Sequence, residues 1–342
     1  MKPYIAVLLL FFSTTVKAQS LNAVMLRNFQ RSEDSMKQYS RAMITDPNSS
    51  QRFIADSIFI RMLVKSLRNP HSFYYPYDSI ETVSRIYAPD SSFRIFSWQF
   101  NRDDSYFRQR GAIQMRTTDG LLKLFPLLDM SEFTEAPQDS VRTATNWVGA
   151  IYYGMVMKTF NDKKYYTLLG FDDNNAKSTR KWIEVLTFNG AGQPRFGGPY
   201  FALQSAKQPM ANQNARFCLE YKKEGKARLN YDAEMDMIVY DHLVSEDNTP
   251  DKKYTLVPDG DYEGFKWDNG RWNHIDKVFD FKLKDGEAPM PEPLKDDAGN
   301  SNEEKLRQQS EKNRQKNNPV KPAPAKPVTK PLSRQPKDEA EP

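Results

Sequence analysis

The chain has 342 residues, of which 49 are basic and 44 acidic, so its formal net charge at pH 7 is +5. This length allows one large domain or two small ones with tails, and the nearly balanced charge argues against nucleic acid as a partner. The single cysteine, Cys218, excludes an intramolecular disulfide, so stability must come from packing. We expect its thiol to be buried and inert rather than exposed and reactive.

The first 18 residues have the pattern of a secretory signal peptide. Lys2 precedes an apolar run over residues 4–12. Small residues occupy positions 16 and 18, the two positions that signal peptidase recognises before its cleavage site. The run is shorter than the roughly 20 residues of a membrane span. We therefore expect an exported protein, periplasmic or extracellular, with no transmembrane segment in the mature chain. No cysteine lies near Ala18, so a lipoprotein is not expected.

Residues 19–91 are predicted to form a helical segment that packs on the main domain. Leu21, Met25 and Phe29 recur at helical spacing, and a second helix is expected over residues 49–67. A proline at position 70 ends that helix, because the residue before a proline disfavours the α region. The aromatic run at residues 73–77 then forms a loop whose rings need burial.

Residues 92–284 carry the signals of an antiparallel β-rich domain of about nine or ten strands. Gly111 is a candidate bulge, and Pro126 indicates an edge strand or a strand end. Residues 181–188 place apolar side chains on both faces, which is typical of a central strand. The fold class is therefore α+β, with short N-terminal helices packed on a mostly antiparallel sheet assembly and a disordered C-terminal tail.

Two hairpins in this region are predicted to the level of register. The Asn-Gly pair at 269–270 is a strong two-residue turn signal, and it places Trp267 opposite Trp272. In residues 216–231, a three-residue loop would put six apolar side chains on one face. That loop would also require a left-handed Gly225, a conformation that glycine adopts without steric cost.

Residues 285–342 are expected to form the disordered tail, since they contain no Phe, Trp or Tyr, and 11 basic residues balance 11 acidic ones. Residues 319–336 interleave prolines with cations and hold no acid, which favours an extended polyproline conformation. We predict that this arm tethers the protein to an anionic envelope polymer or lipid surface. The tether cations would be Lys321, Lys326, Lys330 and Arg334.

No familiar catalytic motif is complete, so no catalytic residue, metal ligand or cofactor is predicted. The glycine-rich run at 190–198 lacks the third glycine of a dinucleotide loop and the lysine of a P-loop. The oxygen-rich cluster at 172–175 departs from a calcium loop, because Lys177 and Ser178 stand where an oxygen ligand and a glycine are needed. We expect a polar hairpin loop there, with a loose cation site as the alternative.

The three histidines lie in separate segments and would hold a metal only if the fold brought them together. They are His71, His242 and His274. Aromatic rings exposed on a sheet would stack on sugars or peptides, although such rings also fill cores and cross-strand pairs. The candidate ligand-binding residues are Trp267, Trp272, Tyr262, Asp172 and Asp173.

Three segments, at residues 147–153, 165–172 and 258–267, resemble those of uncharacterised exported proteins of Bacteroidota. The resemblance covers most of residues 49–283. It implies a cell with two membranes, and hence the periplasm or the outer surface. No activity is known for that group, so the resemblance implies no catalytic residue.

These observations predict an exported, non-enzymatic binding or scaffold module of the cell envelope, whose ligand is unknown. The alternative is a hydrolase acting on an envelope or extracellular polymer through carboxylates of the hairpin that runs from Asp172 to Glu184. The geometry of a cleft separates the two hypotheses. A glycosidase would hold two carboxylates about 5–9 Å apart near exposed aromatic rings.

Overall fold

The computed structural model describes residues 21–103, 106–203, 215–279 and 307–308. The predicted signal peptide and the four tether cations therefore lie outside the described residues, as does nearly all of the predicted tail. The fold presented here belongs to the compact unit that ends at Asp280. No helix in the described ranges is both long and apolar enough to cross a membrane.

Two helices come first, α1 (Ala23–Thr45) and α2 (Ser49–Leu67). Each begins after an asparagine whose side chain accepts a hydrogen bond from the first turn. Asn22 accepts from the backbone of Met25, and Asn48 accepts from the backbone of Ser50, both at 2.9 Å. Such caps satisfy backbone donors that have no partner inside the helix. The predicted bounds of α2 are confirmed.

The described residues after the helices form fifteen strands in three sheets. The helix-side sheet contains, in spatial order, β1 (Ser84–Tyr87), β2 (Phe93–Asp103), β3 (Tyr106–Met115) and β4 (Lys123–Leu128). The middle sheet contains β5 (Arg142–Thr143), β6 (Ile151–Phe160), β7 (Lys163–Asp172), β8 (Ser178–Phe188), β9 (Pro194–Phe196) and β11 (Arg216–Lys222). The outer sheet contains β10 (Phe201–Ala202), β12 (Leu229–Asp232), β13 (Met237–Ser245), β14 (Leu256–Asp268) and β15 (Arg271–Ile275).

The middle sheet has the order β5-β9-β8-β7-β6. Strand β9 pairs with only the last residues of β8, and β11 pairs with the earlier residues along the same edge of β8. The outer sheet has the order β10-β15-β14-β13-β12. Among these fifteen strands of the described ranges, every pairing is antiparallel except that of β10 with β15. Single 3-10 turns occur at Ser72–Tyr74, Ser131–Phe133, Ala144–Asn146 and Lys253–Thr255.

The helices and the three sheets stack as four layers with a hydrophobic core in each of the three interfaces. Side-chain alternation along the strands builds this arrangement. On β2, Trp98 packs toward the helices while Ile95 packs toward the middle sheet. On β8, Leu186 joins the core shared with the helix-side sheet while Val185 joins the core shared with the outer sheet. The predicted central position of this strand is confirmed.

The predicted α+β class, with N-terminal helices on mostly antiparallel sheets, is confirmed. The described residues hold fifteen strands where nine or ten were expected. The difference arises because several strands have only two to four residues, as β5, β9 and β10 do. Such short strands show no alternating run. One of them, β1, falls inside the predicted helical segment and pairs with β2.

The hairpin at 269–270 has the predicted register. Asn269 and Gly270 have φ of 48° and 79°, and Trp267 pairs with Trp272. Their ring centroids lie 5.3 Å apart at 68°, an edge-to-face contact. Pro126 lies on β4, at the edge of the helix-side sheet, as predicted.

The hairpin predicted over residues 216–231 is wrong. β11 pairs with β8 in the middle sheet, whereas β12 pairs with β13 in the outer sheet. Leu219 and Leu229 do share one core, but they face each other across it. Gly225 does not have a positive φ.

Gly111 is also not a bulge. Its register with Ser97 on β2 and Leu127 on β4 is regular, and the shift between β2 and β3 lies beyond Asn101. A Cβ at Gly111 would come within 3.0 Å of Leu127 and 3.4 Å of Trp147. Close packing against the neighbouring strands and against Trp147 therefore explains this glycine.

Arg94 on β2 is a fully buried cation whose partners are neutral groups. Its Nε donates to Gln114 Oε1 at 2.8 Å. Its Nη1 donates to the Tyr75 carbonyl at 2.6 Å and to the Tyr87 hydroxyl at 2.7 Å. Its Nη2 donates to the Ser72 carbonyl at 2.8 Å. These four hydrogen bonds hold the loop that follows α2 against β2 and β3.

Aromatic rings enclose the same guanidinium group. Its Cζ lies 4.6 Å from the centroid of the Phe96 ring and 5.4 to 5.6 Å from three further rings. Burial lowers the pKa of Arg94 below its ordinary value, and the nearby tyrosine oxygens oppose that shift. The burial predicted for the aromatic loop is confirmed for Phe73, Tyr75 and Tyr77.

We expect Arg94→Lys to lower the free energy of unfolding by about 2–4 kcal/mol, because an ammonium group cannot reach all four acceptors or stack flat on the rings. The matched control is Arg116→Lys at an exposed position, with an expected change below about 0.5 kcal/mol. Urea unfolding at pH 7 measures both. Equal stability of the two variants would contradict this role for Arg94.

Candidate functional site

The middle sheet turns a stripe of polar side chains toward the helix-side sheet. The stripe runs across the paired strands β8 and β11, whose alternate residues share this face. Such groups are costly to bury unless they are paired. The three register pairs are Arg180 with Glu220, Trp182 with Cys218, and Glu184 with Arg216.

Glu184 and Arg216 form a buried ion pair at 3.1 Å, with side chains 2% and 1% exposed. Glu184 also accepts a hydrogen bond from the hydroxyl of Tyr152. Burial and the neighbouring Glu184 carboxylate raise the pKa of Tyr152 well above its ordinary value, so this phenol stays a donor. Arg216 donates to the carbonyls of Pro137 and Ser140, and it thereby holds residues 137–140 over the stripe.

Asp172 lies at the end of β7 on the same face and is 6% exposed. Its Oδ1 accepts from Gln109 Nε2 at 2.7 Å and from the backbone of Asn174 at 2.8 Å. The backbone N–H of Gln109 in turn donates to Asp129. Burial raises the pKa of Asp172 to about 6, and the charge of Asp129 adds to the shift, while Arg180 and the hydrogen bonds oppose it.

Because the folded state binds the Asp172 proton more tightly than the unfolded chain does, ionisation of this carboxyl lowers stability as pH rises from about 4 to about 6. The cost above pH 6 is roughly 3 kcal/mol. Asp172→Asn keeps the acceptor and removes the charge. We therefore expect it to stabilise the protein by about 1–3 kcal/mol at pH 7.5 and by nothing at pH 4.

The control for this variant is Asp173→Asn, at a partly exposed residue that is paired with Lys223. It should lower stability by less than about 1 kcal/mol at pH 7.5. Urea unfolding at both pH values measures the differences. An Asp172→Asn protein that is less stable than the wild type at pH 7.5 would contradict the burial argument.

A cleft of about 310 Å³ opens beside the polar stripe. It is lined by residues 135–139, Arg180, Trp182, Cys218 and Glu220. Trp182 is 2% exposed, and its Nε1 has no hydrogen-bond partner among the described residues. A buried donor without an acceptor costs about 1–3 kcal/mol. A ligand with a hydrogen-bond acceptor would remove that cost.

The cleft has an acidic balance, because three carboxylates line it together with one guanidinium. Arg180 Nε donates to Glu220 at 2.9 Å, and Ser178 donates to the other oxygen of Glu220 at 2.6 Å. Burial raises the pKa of the Cys218 thiol, so the thiol is protonated at neutral pH. Cys218 is only partly buried, so the burial predicted from the sequence is not met in full, and the inertness of the thiol stays a prediction. The other two carboxylates are those of Glu135 and Asp139.

The predicted aromatic ligand-binding residues lie in the outer sheet. Trp272 is fully buried, and its Nε1 donates to Thr167 at 2.9 Å. Trp267 packs on Trp272 and on Tyr165 in the core between the middle and outer sheets. Tyr262 is half-buried. The structure therefore brings Trp267 and Trp272 together but does not place them in the cleft.

The predicted acidic pair divides between two environments. Asp172 faces the helix-side sheet, whereas Asp173 is partly exposed and accepts from Lys223 Nζ at 2.7 Å and from Gln99 Nε2 at 2.9 Å. Within the described ranges, no group of three or more His, Cys, Asp or Glu side chains is placed to hold a metal ion.

Sequence reasoning missed a second polar cluster, in which two of the three histidines converge on Glu263. His242 Nδ1 lies 2.8 Å from Asp259, and its Nε2 lies 3.6 Å from Glu263. His274 Nε2 lies 2.7 Å from Glu263, and its Nδ1 lies 3.1 Å from Asp276. Each imidazole therefore stands between two carboxylates. The pairing of β14 with both β13 and β15 creates this arrangement.

Glu263 is the centre of the histidine cluster. Burial opposes its ionisation, but hydrogen bonds from His274 and Tyr240 outweigh burial and lower its pKa. The ionised form therefore stabilises the fold above the ordinary glutamate pKa, and this contribution is lost as pH falls through the lowered value. The signal that leads to part of the cluster is the Asn-Gly turn, since its register places His274 opposite Phe265.

We expect Glu263→Gln to lower the free energy of unfolding by about 1–2 kcal/mol at pH 7, because two charge-assisted contacts weaken. The loss should shrink as pH falls below about 4.5. Asp261→Asn, at an exposed neighbour, is the control and should change stability by less than about 0.5 kcal/mol. If the loss of stability in Glu263→Gln stays constant down to pH 3, the stabilising form of Glu263 is not the ionised carboxylate.

Comparison of the chain with protein-family models, with curated proteins and with solved structures finds no match. The function must therefore be inferred from the two polar clusters. The histidine cluster directs its polar atoms at one another. The cleft combines free volume with an unsatisfied donor, so it is the better candidate for a ligand site.

Proposed function

We propose that the protein is an exported, non-enzymatic binding module of the cell envelope, and that its ligand binds in the cleft between residues 135–139 and the pair β8 and β11. The observation that carries the proposal concerns Trp182, which lines the cleft and whose buried Nε1 has no acceptor among the described residues. Buried polar groups are satisfied in the great majority of cases, so an unsatisfied donor calls for an explanation. Seven buried side-chain atoms of the described residues have no partner, and Trp182 Nε1 is the one that belongs to a residue lining this cleft.

The charges of the cleft indicate what the ligand contains. Glu135, Asp139 and Glu220 favour a positively charged group, while Arg180 and the indole of Trp182 favour a carbonyl or carboxylate. A peptide with a free amino group supplies both within a few bonds. We therefore propose a short peptide as the ligand class, either free or carried on an envelope polymer.

The hydrolase remains a second candidate, and one observation favours it. A general acid needs a raised pKa, and that of Asp172 is raised to about 6. Binding is the better-supported proposal, because neither Asp172 nor Glu184 lines the cleft. Both carboxylates are engaged by partners within the fold, Gln109 and Arg216 respectively.

The proposed location rests on the amino-terminal pattern alone. Residues 1–18 have the charge, apolar run and small residues of a signal peptide. Export to the periplasm or the outer surface would expose the cleft to envelope peptides.

We expect peptides with free amino groups to shift the indole resonance of Trp182 in ¹⁵N-labelled protein. The probe is a mixture of tripeptides, compared with the same mixture after N-acetylation. The free form should bind at least about fivefold more tightly, since acetylation removes the cation. Trp182→Phe should weaken binding, while Trp267→Phe, in the distant tryptophan pair, should not.

Three results would count against the binding proposal. A Trp182 resonance unmoved by millimolar peptide would remove the cleft as the site. Equal affinity for the acetylated peptides would remove the role of the carboxylates. Appearance of cleaved peptides during the titration would replace binding by hydrolysis.

A further inference from the structure

The helix layer has a net positive charge almost as large as that of the whole chain. Residues 21–69 contain eight basic and four acidic side chains, a net charge of +4, whereas the whole chain has +5. Of the eight bases only Arg52 is buried, so seven remain at least partly exposed on the helices and at their ends.

Two of the four acids in this layer are withdrawn into the core. Glu33 is 5% exposed and accepts from the Tyr75 hydroxyl and from the backbone of Ser79. Asp56 is fully buried and accepts from Arg110 at 3.0 Å. The charge of the outer helix face is therefore more positive than the sequence count alone indicates.

A groove of about 470 Å³ runs between α1 and α2 on this face. Two cations line it and no carboxylate does, and hydroxyl and amide groups provide most of the remaining lining. The lining includes Arg31, Lys65, Ser32, Ser35, Asn28 and Asn69.

We propose that this groove binds an anionic polysaccharide. A uronate or phosphate group would pair with Arg31 and Lys65, and the sugar hydroxyls would exchange hydrogen bonds with the serines and asparagines. The α1 side of the groove spans residues 28–35, about 10 Å of helix. Arg27 lies one turn before Arg31 on α1 and is exposed, so positive charge continues beyond this end of the groove, and a polymer suits the surface better than a single sugar.

The lining argues against two other polyanions. Single-stranded nucleic acid is bound by stacking bases on aromatic rings, and none lines this groove. A lipid surface is bound by burying apolar side chains, and Met62 is the one large apolar side chain in the lining. The groove belongs to the helix layer and the peptide cleft to the middle sheet, so this inference does not depend on the proposed function.

The test compares two double variants of the full mature protein that remove the same charge. Arg31→Gln with Lys65→Gln alters the groove, and Arg41→Gln with Arg61→Gln alters the same helices outside it. All four positions are exposed, so both variants should keep the fold, which thermal unfolding checks. The tail is identical in each protein, so any contribution from its cations cancels in the comparison.

Polygalacturonate is the probe, and binding is measured by calorimetry at low and at high salt. We expect the groove variant to lose at least about tenfold in affinity and to show a shallower salt dependence, since two ionic contacts disappear. The matched variant should lose less than about threefold, because its charges act only through the screened field.

Three outcomes would overturn the inference. If the wild-type protein does not bind polygalacturonate at low salt, the groove is not a polysaccharide site. Equal losses in the two double variants would reduce the groove to a general positive surface. Tighter binding to a single-stranded oligonucleotide, or to vesicles containing anionic lipid, would replace the polysaccharide by that partner.

Discussion

The guanidinium of Arg94, buried without a carboxylate partner, determines how the helix layer and the helix-side sheet fit together. The donors of Arg94 reach the backbone of Ser72 and Tyr75 on one side and Gln114 on β3 on the other. The Tyr75 hydroxyl then reaches Glu33 on α1. Because the buried guanidinium must find all its hydrogen-bond acceptors within the protein, the segments that supply those acceptors are held in fixed positions. The helices, the aromatic loop and the sheet are therefore connected through one polar centre inside an apolar core.

The same principle recurs in the second interface, with a different result. There the buried charges are paired, as in Glu184 with Arg216, and they hold a connecting segment over the middle sheet. A buried ion pair contributes little net stability, because the desolvation of both charges offsets their attraction, but removing one partner leaves the other charge buried and uncompensated. The segment and the sheet enclose a cleft in which one donor, the Trp182 indole, has no acceptor. Structure and proposed binding thus depend on the same polar stripe.

Local patterns predicted local structure well and non-local structure poorly. The bounds of α2, the alternation of β8 and the Trp267–Trp272 register depend on residues within one turn or one strand. The error at residues 216–231 has a physical origin. Apolar side chains alternate in the same way whether two strands pair side by side in one sheet or face each other across a core. The alternation in residues 216–231 therefore could not distinguish a hairpin from two strands in different sheets. The meeting of His242 with Glu263 depends on the pairing of β13 with β14, which no short motif marks.

The distribution of tryptophan across the layers has a practical consequence. The chain has five tryptophans. Trp98 lies in the core under the helices, Trp147 and Trp182 lie in the second core, and the pair formed by Trp267 and Trp272 lies in the third. Each interface therefore contains its own indole chromophore. Fluorescence of single-tryptophan proteins would show which interface admits water first, and whether the four layers come apart as one cooperative unit or in sequence.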